Sequence, residues 1–201
     1  MTPDLLLALA GFAFVTSITP GPNNLMLMAS GANFGLRRTV PHALGVAGGF
    51  VLMSGAMGLG LGALFQSLPW ARPALTVLAV LYMLWLAWRI ATAAPPREGA
   101  AGGRPLTFLQ AAGFQWVNPK AWMMAVGAMT VYAPDGLAWQ VAVVALVFGA
   151  VNLPSVGTWA LAGTQLRRVL TNPARLRAFN WTMAALLIAS LWPVVRGAWT
   201  P

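Results

Sequence analysis

The chain has no cysteine, one histidine and three acidic residues in 201 positions. Without cysteine there is no disulfide, no thiolate zinc site and no thiol nucleophile. One histidine and the carboxylates Asp4, Glu98 and Asp135 are too few for a metal cluster or for a positioned acid, base and nucleophile, so an enzyme is not expected. The only lysine is Lys120, and no G-x-x-x-x-G-K-[ST] loop is present to cradle phosphates. Neither ATP hydrolysis nor a cofactor is expected.

Charge of either sign is scarce. Charged residues make up 7% of the chain and hydrophobic residues 59%, with a mean hydropathy of +0.72, more apolar surface than a soluble domain of this length can bury. Several long stretches lack charge altogether, as a helix crossing a hydrocarbon core of roughly 30 Å requires. The fold class expected is an all-α integral membrane bundle, a single transmembrane domain over residues 1–201. The formal charge of +9 raises nucleic acid as a partner, but the basic residues fall between the apolar runs and read as a topology signal instead. The first run has no basic n-region, carries Asp4 and lacks an A-x-A-like site, so it is expected to stay as the first helix.

Hydropathy gives six spans: Leu5 to Ala32, Val40 to Phe65, Ala71 to Thr92, Phe108 to Tyr132, Leu137 to Leu161 and Leu176 to Trp199. The Pro- and Gly-rich segment Ala93 to Leu106 reads as a loop in water. It divides repeat one (1–92) from repeat two (108–201), the loop taken as 93–107. Arg37, Arg38, Arg89, Arg97, Arg104, Arg167, Arg168, Arg175 and Arg177 lie in or beside loops one, three and five, whereas the other loops and termini offer only Arg72 and Arg196. Loops one, three and five are therefore expected in the cytoplasm, with both termini outside.

Three spans followed by three more have opposite orientations, so similarity between the halves implies an inverted repeat. "MASGA" at Met28 to Ala32 matches "MAVGA" at Met124 to Ala128 in four of five positions, with Pro22 and Pro119 at nearly equal distances upstream. These prolines predict that helices 1 and 4 are broken near the bilayer midplane. Proline removes a donor and clashes with the preceding turn, and the glycine between Pro20 and Pro22 relaxes the backbone further. Asn118 and Pro119 fit a cap followed by a first helical residue, and Thr19 with Pro20 is expected to do the same.

Two half-helices beginning at the centre bring unpaired N–H groups and positive dipole ends together, a site suited to a carboxylate. Lys120 is the only basic residue deep inside a span, and a charge there defaults to a functional role. Asn23, Asn24, Gln115 and Asn118 are uncharged partners for an ammonium or hydroxyl, with Asn152 beside Pro154 as a third wall. The bland readings stand beside these. Prolines kink membrane helices, and Asn or Gln serves as interhelical glue. His42 reads as interfacial beside Arg37 and Arg38, the tryptophans near span ends as interface belts, and the GxxxG pairs Gly45/Gly49 and Gly58/Gly62 as close-packing sites.

"TPGPNN" in the first span and "QWVNPKA" in the fourth resemble the signature elements of the LysE/RhtB family of bacterial amino-acid exporters. "WLAWRIATAAP" and "WALAGTQLRRVL" resemble the branch that exports cysteine and O-acetylserine. The resemblance implies amino-acid efflux across a bacterial inner membrane, driven by the proton gradient, with Pro20, Gly21, Pro22, Asn23, Asn118, Pro119 and Lys120 as matching positions. The chain departs from the family pattern over Asn180 to Ser190, where many members carry a glycine in helix six. No carboxylate lies deep in a span to receive a cationic side chain, so a small neutral substrate is expected. A passive channel or a non-catalytic membrane scaffold also fits six helices, and a homo-oligomer is left open.

Overall fold

The computed structural model describes residues 1–68, 70–93, 104–192 and 196, and all regular structure among them is helical. Residues 94–103 of the expected loop, with Arg97 and Glu98, and the end of the sixth span at Trp199 lie outside the described residues. The helices are α1 (Pro3–Ile18), α2 (Pro22–Phe34), α3 (Leu36–Ala56), α4 (Gly62–Ser67), α5 (Ala71–Ala91), α6 (Phe108–Gln115), α7 (Pro119–Tyr132), α8 (Ala138–Arg167) and α9 (Pro173–Ala189). Leu36–Leu61, Pro73–Ala91 and Ala138–Arg167 are long and apolar enough to cross a membrane, and α1 with α2 makes a fourth such segment bent by 57°. This is a helical membrane bundle.

The first and fourth expected spans are each interrupted by three residues, 19–21 and 116–118. Local chemistry dictates both stops. A residue before proline avoids the α region, so Thr19 (ψ 135°) before Pro20, Gly21 before Pro22, and Asn118 (ψ 108°) before Pro119 are all extended. The expectation that α2 starts at Pro20 with Thr19 as its cap is corrected: Thr19 ends α1, Gly21 occupies the cap position without a side-chain bond, and Pro22 is the first helical residue. With two prolines in three residues, only the second is followed by a residue free to be helical. Asn118 behaves as expected, its side chain accepting from the Lys120 N–H at 3.2 Å.

Glycine sets the closest contacts. A methyl on Gly31 or Gly163 would run into the facing backbone, Ala160 and Thr164 on α8 for the first and Met28 and Ala32 on α2 for the second. Gly45 and Gly49 sit in the same way against Phe108 and Ala112 of α6, as the first GxxxG pair predicts. Of the second pair only Gly58 is a packing contact, against Met129 of α7 and Val141 of α8, whose side chains a Cβ there would meet at 2.7–2.8 Å. Met57–Leu61 is a turn of π-helix with Gly60 at φ +112°, which kinks the second span, and Gly62 meets no neighbouring helix.

Two apolar cores result. One gathers Met26 and Leu27 of α2, Val46 of α3, Phe114 of α6, Val156 of α8 and Leu187 of α9. The other gathers Leu9 and Ala13 of α1, Met53 of α3, Ala125 of α7, and Val144 and Phe148 of α8. The two helix breaks fall between them. Arg37, Arg38, Arg167, Arg168, Arg175 and Arg177 lie at one end, where Arg167 meets the start of α3 at Gly35. Asp4 and Asp135, at the starts of α1 and α8, lie at the other.

The α2 to α8 contact yields a test in detergent. Gly163→Leu is expected to destabilise the protein by more than the ~1–3 kcal/mol of ordinary overpacking, because its obstacle is backbone. Gly11→Ala, with nothing within 4 Å, is expected to be neutral or slightly stabilising. Equal melting temperatures for the two variants would remove the backbone contact.

Candidate functional site

Breaking α1 exposes carbonyls that a continuous helix would have paired, and three side chains from elsewhere in the chain bind them. Asn24 Nδ2 donates to the Ser17 and Thr19 carbonyls at 2.9 and 2.8 Å, and Trp159 Nε1 donates to Ile18 at 3.1 Å. Lys120 Nζ donates to Thr19 at 2.5 Å and, more weakly, to Pro20 at 3.5 Å. The carbonyl end of α1 thus supplies the negative partial charge that faces the ammonium. Trp159, read from sequence as part of an interface belt, is a part-buried ligand of the broken backbone instead.

The two breaks meet. The Lys120 stem crosses Gly21 so closely that a Cβ there would lie 2.7 Å from Lys120 Cδ. Asn23 and Gln115 exchange two amide hydrogen bonds, of 2.8 and 3.1 Å, between α2 and the end of α6. Around this junction is a small polar cavity of about 20 Å³, lined in part by Gly21, Asn23, Asn24, Asn118, Lys120 and Asn152. Its remaining wall includes Ser17, Phe50, Met124 and Val156. Of the other candidates, none lines the cavity: Pro20 is exposed, Gln115 is buried and bonded to Asn23, and Pro22 and Pro119 set the helix starts.

Ser17 was not foreseen. It accepts from Asn152 Nδ2 at 3.1 Å and is buried on the same face as Leu9 and Ala13, a four-residue stripe that could have identified it. The other amide atom of Asn152, Oδ1, is buried and has no hydrogen-bond partner among the described residues. A buried acceptor left unpaired costs about 1–3 kcal/mol, and this one belongs to a residue lining the cavity. The cavity therefore presents an ammonium, the positive amino ends of α2 and α7, and an acceptor awaiting a donor. Among the described residues there is no group of three His, Asp or Glu able to hold a metal.

Two further polar features were misread or missed. His42 is 1% exposed, not interfacial, and neither ring nitrogen has a partner among the described residues. Thr39 and Ala43 on the same helix are also buried, so the inward face of α3 begins within a turn of Arg38. Asn33 and Asn180 exchange hydrogen bonds of 2.7 and 3.0 Å, and Asn180 Nδ2 also reaches the Ala93 carbonyl at 3.1 Å. A polar pair thus joins α2 to α9.

Apolar helices, two of the expected spans split at proline breaks, and a polar junction between two apolar cores define a multi-pass membrane protein with an interior polar site. The family described as LysE type translocator matches residues 14–190, and the chain belongs to it. Its members are translocators, not enzymes. The chain is 31% identical to a cysteine/O-acetylserine efflux protein of Klebsiella pneumoniae, over 94% of this chain and 95% of that one. It is 32% identical to proteins of the same name from Escherichia coli K12 and Shigella sonnei, over 94% of this chain and 96% of each of those. No solved structure matches the chain.

The Asn33 and Asn180 pair gives a measurable expectation. Asn180→Ala leaves Asn33 without its side-chain partner on α9 and is expected to cost about 1 kcal/mol, within the ~0.6–2 kcal/mol range of interhelical polar contacts. A double-mutant cycle with Asn33→Ala in detergent reads it, and additive costs would contradict the pairing.

Proposed function

We propose that the chain exports small neutral amino acids or their derivatives, of cysteine, O-acetylserine, homoserine or threonine type, across the bacterial inner membrane in exchange for protons. The observation that carries this reading is the meeting of the two proline breaks at Lys120, beside the unpaired Asn152 Oδ1. An ammonium has three donors, and the Thr19 and Pro20 carbonyls engage two. The third, with the positive amino ends of α2 and α7, receives the substrate carboxylate. Asn152 Oδ1 receives the substrate ammonium, with Asn23, Asn24, Gln115 and Asn118 holding the junction around it. The side chain then turns to Phe50, Met124 and Val156, a wall with no charge.

A space of about 20 Å³ holds little more than one water, so an amino acid enters only when the helices part. Thr19 and Pro20 are exposed at the break, and irregular backbone at membrane depth is tolerated only where it lines protein or water. The opening is therefore on that side.

Six spans in two inverted repeats suit the packing. A two-fold relation between halves requires that α1 on α8 be mirrored by α6 on α3 and that α3 with α8, and α5 with α9, pair with their own equivalents. All four packings are present. The pairing of α2 with α8 is far more extensive than that of α7 with α3, as a transporter closed on one side requires. The arginine end is assigned to the cytoplasm, with both termini outside. Proton exchange has three carriers available: Lys120, His42 and the ammonium of the substrate.

Proteoliposomes loaded with labelled amino acids test the reading. Export driven by a pH gradient is expected, whereas downhill leakage alone would indicate a passive channel and no flux a scaffold. Lys120→Gln is expected to abolish export, a loss of at least about tenfold for one charged hydrogen bond, with the variant still in the membrane. Normal export by this variant would falsify the carboxylate assignment.

Substrate charge gives an independent check. Lysine is expected not to compete, because no carboxylate among the described residues of the junction can receive a second ammonium. Tight competitive inhibition by lysine would contradict the neutral-substrate reading.

A further inference from the structure

A second concavity, of about 260 Å³, lies between α3 and α8, and it shares no residue with the polar cavity. Its walls are Leu36, Val40 and Leu44 of α3 and Leu153, Gly157 and Ala160 of α8. The α3 residues recur every four positions and form one stripe. Leu36, Val40, Leu44 and Leu153 are each 36–43% exposed, so the groove opens outward. Thr39, the polar residue at its edge, directs its hydroxyl to Ser30 and to the Gly35 carbonyl, both at 2.9 Å. Gly157 forms part of the floor, and a Cβ there would meet nothing within 4 Å.

One end of this groove is cationic. The α8 stripe of Leu153, Gly157 and Ala160 continues at helical spacing through Thr164 to Arg167. The Arg167 guanidinium closes the gap to α3, since a Cβ on Gly35 would lie 3.0 Å from its Nη1. Arg37 and Arg38 occupy the first turn of α3 and are exposed, as are Arg167 and Arg168. The described carboxylates, Asp4 and Asp135, lie at the opposite end of the bundle.

We propose that this groove is a binding site for one anionic phospholipid, with an acyl chain along the apolar floor and the headgroup phosphate held by Arg167 and Arg37. An apolar groove beside exposed arginines matches such a lipid in both parts: the chain fills the concavity, and guanidinium binds phosphate in a bidentate manner. A second copy of the chain suits the face less well. Two chains in the same membrane orientation would bring their arginine ends together without carboxylates between them.

Native mass spectrometry of the purified full chain, supplied with equal amounts of phosphatidylglycerol and phosphatidylethanolamine, tests the site. The expected result is one retained phosphatidylglycerol per chain under activation that strips phosphatidylethanolamine. Gly157→Leu, whose Cβ enters open space in the groove, is expected to abolish retention and to remove the rise in melting temperature that phosphatidylglycerol gives the unaltered chain. Arg167→Gln, a surface change that keeps the groove, is expected to lower the preference about fivefold, the equivalent of about 1 kcal/mol per arginine. Equal retention of the two lipids, retention unchanged in both variants, or a dimer in place of the lipid adduct would each overturn the proposal.

Discussion

A polypeptide in hydrocarbon must pair its own backbone polar groups, and breaking a helix there creates a debt of several kcal/mol per group. The arrangement around residues 19–21 follows from this. α1 stops because two prolines forbid its continuation, and its last carbonyls are then bound by Asn24 from the next helix, Trp159 from α8 and Lys120 from α7. Each donor comes from a different element, so the break ties three helices together. The same bonds place the only lysine of the chain against the start of α2. A site able to meet a carboxylate is thus a by-product of repairing a broken backbone.

Packing keeps that junction narrow. Glycine at positions 31 and 163 lets α2 lie on α8 with backbones in contact, while Gly45 and Gly49 do the same for α3 on α6. Bundles in lipid gain little from burying apolar surface against one another, so close approach and interhelical hydrogen bonds set the arrangement. Two apolar cores, one toward each end, then leave a thin polar layer where Ser17, Asn24, Gln115, Asn118 and Asn152 are all buried. Other buried polar side chains, such as Asn33 with Asn180 and Ser30 with Thr39, pair with one another nearer the arginine end.

What the sequence revealed was local. The helix start at Asn118 and Pro119 depends on two adjacent residues and a cap, and it was legible as such. The first break was legible, but its start was displaced from Pro20 to Pro22, because the restriction before proline applies twice and only the second leaves a helical successor. Long-range pairings were not legible: Asn33 with Asn180 joins positions 147 apart, and nothing in either neighbourhood signals the other. His42 was misplaced because proximity in sequence to Arg37 and Arg38 says little about which face of a helix a residue occupies. The four-residue glycine spacing held for Gly45 and Gly49 and, in the second pair, for Gly58 alone, because the π turn before Gly62 adds a residue and rotates everything that follows.

The orientation of Asn24 has a chemical consequence for the life of the protein. Its amide nitrogen points at two carbonyl oxygens, so the side chain acts there as a donor and in no other way. Hydrolysis of that amide in an ageing chain would leave a shape almost unchanged, yet it would set a carboxylate, which only accepts, against two further acceptors. Spontaneous deamidation, harmless at most surface asparagines, would at this one position open the repaired end of α1 from within.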